Sequence, residues 1–190
     1  METKSIIIAG VGGQGSLLAS KLLGRLLLDQ GYDVKVSEVH GMRQRGGSVV
    51  TYVRYGEKVY SPIVGLGEAD LLLSFELLEA ARWLPYLKVG GAIVTNTQRI
   101  DPMPVVTGQM QYPEDLAAKI AEKGVKIDAF DCLSLAEQAG SPKAVNIVLL
   151  GRLSHYFDFP DEVWQKALEA SVPAKVLEIN RKAFRLGQNA

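Results

Sequence analysis

The six residues Gly10-Val11-Gly12-Gly13-Gln14-Gly15 carry the strongest chemical signal in the sequence. Glycine lets the backbone turn tightly and a ligand approach it closely. The spacing matches G-x-G-x-x-G, a phosphate-cradling fingerprint when a strand precedes it and a helix follows. Ser16 opens the expected helix, whose first N–H groups and positive end suit an anion. Glu38 stands where an acidic partner for a ribose would be expected. Taken alone, Gly10, Gly12, Gly13, Gln14, Gly15, Ser16 and Glu38 suggest a nicotinamide or flavin dinucleotide. The pattern is short, however, and a tight strand–helix turn needs glycine with or without a ligand.

A second cluster follows. Residues 38–47 read Glu-Val-His-Gly-Met-Arg-Gln-Arg-Gly-Gly. Arg43 and Arg45 sit there beside Met42 and among Gly41, Gly46 and Gly47. Planar guanidinium forks suit phosphate or carboxylate. A solvated loop whose arginines pair with acids such as Glu38 or Glu76 explains the same residues. Arg45 is the stronger candidate, because Arg43, two positions earlier, is expected to point the other way. Asn146 interrupts an apolar helix, where it could bond a neighbouring loop or simply lie at the helix start. His40 and His155 are far apart, with no cysteine or acid at metal-ligand spacing, which argues against a metal site. Cys132 is the single cysteine. It reads as a small core residue. One cysteine rules out an intrachain disulfide and a four-cysteine iron–sulfur cluster held by this chain alone.

The elements that must position these residues follow from periodicity. Ile6, Ile7 and Ile8 form a β-branched run, as in a strand buried on both faces. Residues 16–30 are helical. Leu18, Leu22 and Leu26 form one stripe with Leu23 and Leu27 beside it, while Lys21, Arg25 and Asp29 share another face. Strands are expected over 33–38, 48–55, 69–75, 91–96 and 125–131. Gly56-Glu57 should turn a hairpin into 58–61. Helices are expected over 76–87, with a break at Pro85, then over 113–123, with Pro113 in the first turn, and over 132–139. Residues 101–108, with Pro102 and Pro104, read as a loop or edge. The last third is helical over 143–156, 161–170 (capped by Asp161) and 173–186. Strands alternating with helices predict an α/β fold: a doubly wound, mostly parallel Rossmann-like sheet with helices on both faces and a helical C-terminal third. The hairpin starting at Ser48 would be its antiparallel excursion.

Length and composition agree with one domain over residues 1–190. A chain of 190 residues buries about 70% of its unfolded surface. The 21 basic and 21 acidic residues cancel, which removes the electrostatic argument for nucleic acid or an anionic membrane. Met-Glu-Thr-Lys-Ser leads directly into the first strand. No signal-peptide pattern and no apolar run of about 20 residues appears, so the expected location is the cytoplasm.

Three stretches occur together and in order: residues 10–15, Ser37-Glu38-Val39-His40-Gly41-Met42-Arg43-Gln44-Arg45-Gly46-Gly47-Ser48-Val49-Val50, and Asn146-Ile147-Val148-Leu149-Leu150-Gly151. With Ala69-Asp70 and Val172-Pro173-Ala174-Lys175, they make the chain resemble the gamma-type domain of the 2-oxoacid:ferredoxin oxidoreductases, and among these the beta subunit of the indolepyruvate enzymes. The resemblance runs from Ile6 to about Leu186. It implies a complex that oxidatively decarboxylates a 2-oxo acid, adds coenzyme A and reduces ferredoxin. It also implies that thiamine diphosphate, magnesium and iron–sulfur (4Fe–4S) clusters lie on a larger alpha subunit. In agreement, the sequence lacks a Gly-Asp-Gly segment followed by an Asn-Asn-type diphosphate site. On this reading the chain is catalytically inactive alone and binds none of those cofactors itself. It closes the active site or contacts coenzyme A. The candidate contacts are Gly10, Gly12, Gly13, Gln14, Gly15, Ser16, Glu38, Met42, Arg43, Arg45, Gly46, Gly47 and Asn146, and no catalytic residue is assigned. An independent dinucleotide-binding protein and a purely structural assembly subunit remain the alternatives.

Overall fold

The isoleucine run is buried on both faces because strand β1 (Lys4–Val11) lies inside a six-stranded sheet. The computed structural model describes residues 2–39 and 47–190. The sheet order is β2-β3-β1-β4-β5-β6, with β2 at Asp33–Val39, β3 at Ser48–Gly56, β4 at Ala69–Ser74, β5 at Leu87–Asn96 and β6 at Lys126–Phe130. The pairs β1–β4, β4–β5 and β5–β6 are parallel. Strand β3 is antiparallel to both of its neighbours, β1 and β2. Five strands therefore run one way, and β3 alone runs against them.

The excursion starting at Ser48 exists, but its partners differ from those expected. Residues 57–61 form no strand, so there is no hairpin at Gly56-Glu57. Side chains satisfy that segment instead. The Asp33 carboxylate accepts the Val59 N–H at 2.9 Å, and Arg54 donates to the carbonyls of Ser61 and Ile63 at 3.3 and 2.7 Å. With its polar groups engaged this way, the segment has no need of a ladder.

The helices are α1 (Ser16–Asp29), α2 (Leu77–Trp83), α3 (Met103–Val106), α4 (Leu116–Ala121), α5 (Cys132–Ala139), α6 (Val145–Leu153), α7 (Asp161–Ser171) and α8 (Leu177–Gln188). Helix α2 stops before Pro85, which sits in a single 3-10 turn over Leu84–Tyr86. Helix α4 starts three residues after Pro113, because Asp115 takes the left-handed conformation (φ 55°) just before it. Asp161 is not a cap. Pro160 precedes the first turn of α7, and the Asp161 carboxylate accepts from Gln165 and Gln188. Residues 103–106, expected as loop or edge, close one helical turn.

Alternation in the strands divides the core in two. Ile6, Ile8, Val53, Leu71, Leu73 and Val94 face α1, α5, α6, α7 and α8. Ile7, Ala9, Val50, Tyr52, Leu72 and Ile93 face α2 and α4. Helices thus cover both faces. The parallel strands end along one edge, and that edge carries the glycine loop.

Candidate functional site

The loop from Gly12 to Gly15 turns β1 into α1 through two positive-φ glycines, Gly13 (96°) and Gly15 (87°). A Cβ at Gly13 would meet nothing within 4 Å, so its neighbourhood is open to a ligand. A Cβ at Gly15 would meet the Asn146 amide nitrogen at 3.0 Å. Among the described residues, the N–H groups of Gly13, Gly15, Ser16 and Leu17 have no hydrogen-bond acceptor, whereas Leu18 returns to the Gly15 carbonyl. This is the arrangement expected of an anion-accepting helix start.

Gln14 turns inward. Its Oε1 accepts the Val11 N–H at 2.7 Å, and its Nε2 donates to the Phe75 carbonyl at 3.1 Å and to Gln98 Oε1 at 3.3 Å. It braces the loop against the ends of β4 and β5. Gly10 is equally structural, since an added Cβ would lie 3.0 Å from Gln14 Oε1 and 3.1 Å from Phe75 Cβ. Asn146, at 5% exposure, holds the other side of the loop. Its Nδ2 donates to the Gly15 carbonyl at 3.3 Å, while its Oδ1 accepts the Ile147 N–H at 2.9 Å. The helix-start and loop-bonding readings of Asn146 therefore both hold. Gly47 joins the site through its carbonyl, which accepts the Gly12 N–H at 3.0 Å. Met42, Arg43, Arg45 and Gly46 lie outside the described residues.

Two clefts flank the loop. One, of 310 Å³, runs between Gly12, Gly13, Gly15 and Ser16 and the β2/β3 edge at Glu38, Val39 and Thr51. Glu38 borders this cleft while accepting the Ser20 hydroxyl at 3.1 Å. The other cleft, of 440 Å³, lies between Gly13–Gly15 and Gln98, Leu133, Pro142 and Lys143. The first carries a carboxylate at its rim and the second an ammonium.

The sequence reading missed the polar residues behind the loop. Asn96, at the end of β5, accepts the Cys132 N–H at 3.1 Å and donates to Gln98 at 3.4 Å. Glu76 is 1% exposed and caps α2. Its carboxylate accepts the N–H groups of Glu79 (2.9 Å) and Ile100 (3.2 Å) and the Tyr112 hydroxyl (2.5 Å). Burial, joined by that bond to Glu76, holds the Tyr112 hydroxyl well above the usual phenol range. Glu79 is 3% exposed. Burial raises its carboxyl above the ordinary 4.5, against the opposing pull of Ser48 and Arg82. The available signal was position: Asn96 and Gln98 follow directly from a parallel strand, and the ends of such strands are where crevices form.

The donors for a metal or cluster do not converge. Among the described residues there is no group of three His, Cys, Asp or Glu side chains able to hold a metal ion. Cys132 is fully buried, and burial pushes its thiol up, away from the ligating thiolate.

A six-stranded sheet covered on both faces by helices, with a glycine loop at its strand ends, is an open α/β domain of the doubly wound class. The comparisons narrow this class. Residues 5–190 match the family described as pyruvate ferredoxin/flavodoxin oxidoreductase. A relative from Thermococcus kodakarensis, "Indolepyruvate oxidoreductase subunit IorB", is 47% identical, with 100% of this chain and 96% of the relative covered. The gamma subunit of a keto/oxoacid ferredoxin oxidoreductase from Geobacter sulfurreducens superposes with a TM-score of 0.72 at 24% identity, covering 98% of this chain and 96% of that one. A 2-oxoglutarate:ferredoxin oxidoreductase from Magnetococcus marinus, solved with 2-oxoglutarate, coenzyme A and succinyl-CoA, gives 0.75 at 22% identity and covers 100% of this chain and 31% of that longer one. The chain belongs to the pyruvate ferredoxin/flavodoxin oxidoreductase family.

Proposed function

We propose that this chain is the non-cofactor subunit of a thiamine-diphosphate-dependent 2-oxoacid:ferredoxin oxidoreductase acting on indolepyruvate or a similar arylpyruvate. The observation that carries this reading is the 47% identity, over the whole chain, to a relative named as an indolepyruvate oxidoreductase subunit. The assembled enzyme converts the oxo acid and coenzyme A to acyl-coenzyme A and carbon dioxide, and reduces ferredoxin. It works in the cytoplasm; among the described residues no helix is long and apolar enough to cross a membrane.

Thiamine diphosphate, which supplies the decarboxylation chemistry when bound, sits with its magnesium and the iron–sulfur clusters on the partner alpha subunit. Among the described residues, the buried thiol and the scattered acids do not fit a cluster or metal. The chain's own contribution is an anion site for coenzyme A at the glycine loop. The N–H groups of Gly13, Gly15, Ser16 and Leu17 offer the phosphates donors, and Lys143 adds a positive charge at the rim.

Ser16→Asp tests this. A carboxylate at the first helical position stabilises a helix by about 0.3–1 kcal/mol, so the melting temperature should hold or rise. The same charge would repel a phosphate at the loop. Titration of the assembled enzyme with coenzyme A should show binding weakened about tenfold or more. Unchanged affinity in Ser16→Asp would remove coenzyme A from the loop and leave a structural subunit. One observation favours a different ligand: Glu38 borders the first cleft in the position of a ribose partner. Micromolar NADH binding without a response to coenzyme A would select an independent dinucleotide-binding protein.

A further inference from the structure

Glu79 is a buried carboxylate that neither the fold nor the proposed ligand site explains. At the third position of α2 such a residue ordinarily folds back to the capping N–H. Here it does not. The cap is supplied by Glu76, whose own N–H bonds to Ser74 Oγ at 3.5 Å. The Glu79 carboxylate crosses instead to the first residue of β3, where Oε2 accepts the Ser48 hydroxyl at 2.5 Å. Arg82 reaches in from solvent and donates to Oε1 at 3.1 Å. The adjacent Ala80 is wholly buried in the apolar core beneath the sheet. Burying this carboxylate carries a desolvation cost, which its Ser48 and Arg82 partners offset.

We propose that Glu79 is a positioning residue for the glycine loop. The connection is short. Glu79 holds the Ser48 side chain, Ser48 is bonded to Gly47, and the Gly47 carbonyl accepts the Gly12 N–H at 3.0 Å. Gly12 is the residue at which the chain leaves β1 for the loop. Strand β3 is the one reversed strand of the sheet, so its first residue, Ser48, lies beside Val11, the last residue of β1. The reversal brings a strand beginning to the edge where the parallel strands end, and Glu79 pins that beginning. The Gly12 N–H is thereby committed to Gly47, which orients the next N–H groups outward. Gln14 and Asn146 hold the loop from below and from the far side. Glu79 holds its near side.

The functional consequence rests on the reading of the loop as the coenzyme A contact, and the test separates the two. Glu79→Leu, Glu79→Gln and Ser48→Ala are to be made in the assembled enzyme. Glu79→Leu should lower the melting temperature, because the Ser48 hydroxyl and Arg82 lose their acceptor, and should raise the KM for coenzyme A about tenfold with kcat changed less than about twofold, as expected for losing a contact that orients the ligand site. Glu79→Gln keeps an oxygen for the Ser48 hydroxyl and should restore most of the affinity. Ser48→Ala should reproduce Glu79→Leu, and the double variant should be no worse than either. Hydrogen exchange of the Gly12 amide supplies a readout independent of coenzyme A. It should accelerate about tenfold or more in Ser48→Ala and Glu79→Leu. Unchanged Gly12 exchange in Ser48→Ala overturns the positioning role, even if Glu79→Leu fails to fold. Faster exchange with an unchanged KM keeps the positioning role and discards the coenzyme A reading.

Discussion

At the residue scale, the glycine fingerprint conceals a division of labour. Gly13 and Ser16 face the clefts with backbone N–H groups free of acceptors among the described residues, whereas Gln14, at a position the motif leaves variable, borders the second cleft but commits both ends of its amide to the protein. Spacing could not reveal this, because the motif records backbone needs and Gln14 answers to Phe75 and Gln98, more than sixty residues away. The two positions should therefore respond oppositely to the same charge. Gln14→Glu removes both Nε2 bonds and sets a carboxylate against the Phe75 carbonyl and Gln98 Oε1. It should lower stability by about 1–3 kcal/mol, read as a lower urea midpoint with an unchanged slope. Ser16→Asp should hold that midpoint or raise it slightly. If Gln14→Glu unfolds at the wild-type midpoint, the amide is not a brace.

At the element scale, the sequence disclosed what depends on neighbours in the chain and hid what depends on distant partners. Leu22, Leu23, Leu26 and Leu27 form the buried stripe of α1 that their spacing predicts, and α5 runs over the expected residues. The insertion of β3 between β2 and β1 was not legible, because pairing order is set across the sheet and not by the alternation within 48–55. The burial of Glu76, read only as a possible arginine partner, and of Glu79 was hidden for a related reason: acids on a short amphipathic helix read as a solvated face until Tyr112 and Ser48 arrive from elsewhere. Asp70 stitches three strands. Its carboxylate accepts the Ser5 N–H at 2.8 Å and pairs with Lys4 at 3.2 Å and with Lys88. Burial opposes ionisation, but these donors prevail and hold the carboxyl below its ordinary 3.8. The stability it contributes is therefore full above that value and fades as pH falls through the lowered one. Asp70→Asn should cost about 1–2 kcal/mol near neutral pH, allowing for the solvent-exposed lysine ends. The difference from wild type should close in acid; a gap that persists there would mean the loss is steric. The crossing of α6 and α8 depends on size. A Cβ at Gly151 would collide with the Phe184 carbonyl, and one at Gly187 with the Val148 carbonyl. Either glycine-to-alanine change should destabilise by about 1–3 kcal/mol or more through overpacking, giving a clear drop in melting temperature. Gly13→Ala meets open space and should incur only the smaller penalty of its positive φ, about 1 kcal/mol.

At the scale of the whole molecule, two apolar layers close over the two faces of the sheet. Among the described residues, the edge that carries the glycine loop offers backbone N–H donors, with the Lys143 ammonium and the Glu38 carboxylate at the flanking clefts. Electron transfer and decarboxylation require groups for which the described residues supply no matching donors, and the one thiol is sealed in the core. The isolated chain should therefore fold cooperatively, and an anaerobic preparation should be colourless, without broad iron–sulfur absorption. It should not oxidise indolepyruvate in the presence of coenzyme A and ferredoxin. Mixing with the separately prepared partner subunit should restore turnover, and the recovered activity should saturate at a fixed ratio of the two chains. Iron and thiamine diphosphate should follow the partner when the chains are separated again. Steady turnover by this polypeptide alone would mean that it carries chemistry of its own and would end the subunit reading. A chain that folds only with its partner would instead mean that the two apolar layers are not sufficient, and would shift the emphasis to the exposed Met103, Val106 and Met110 as part of a shared core.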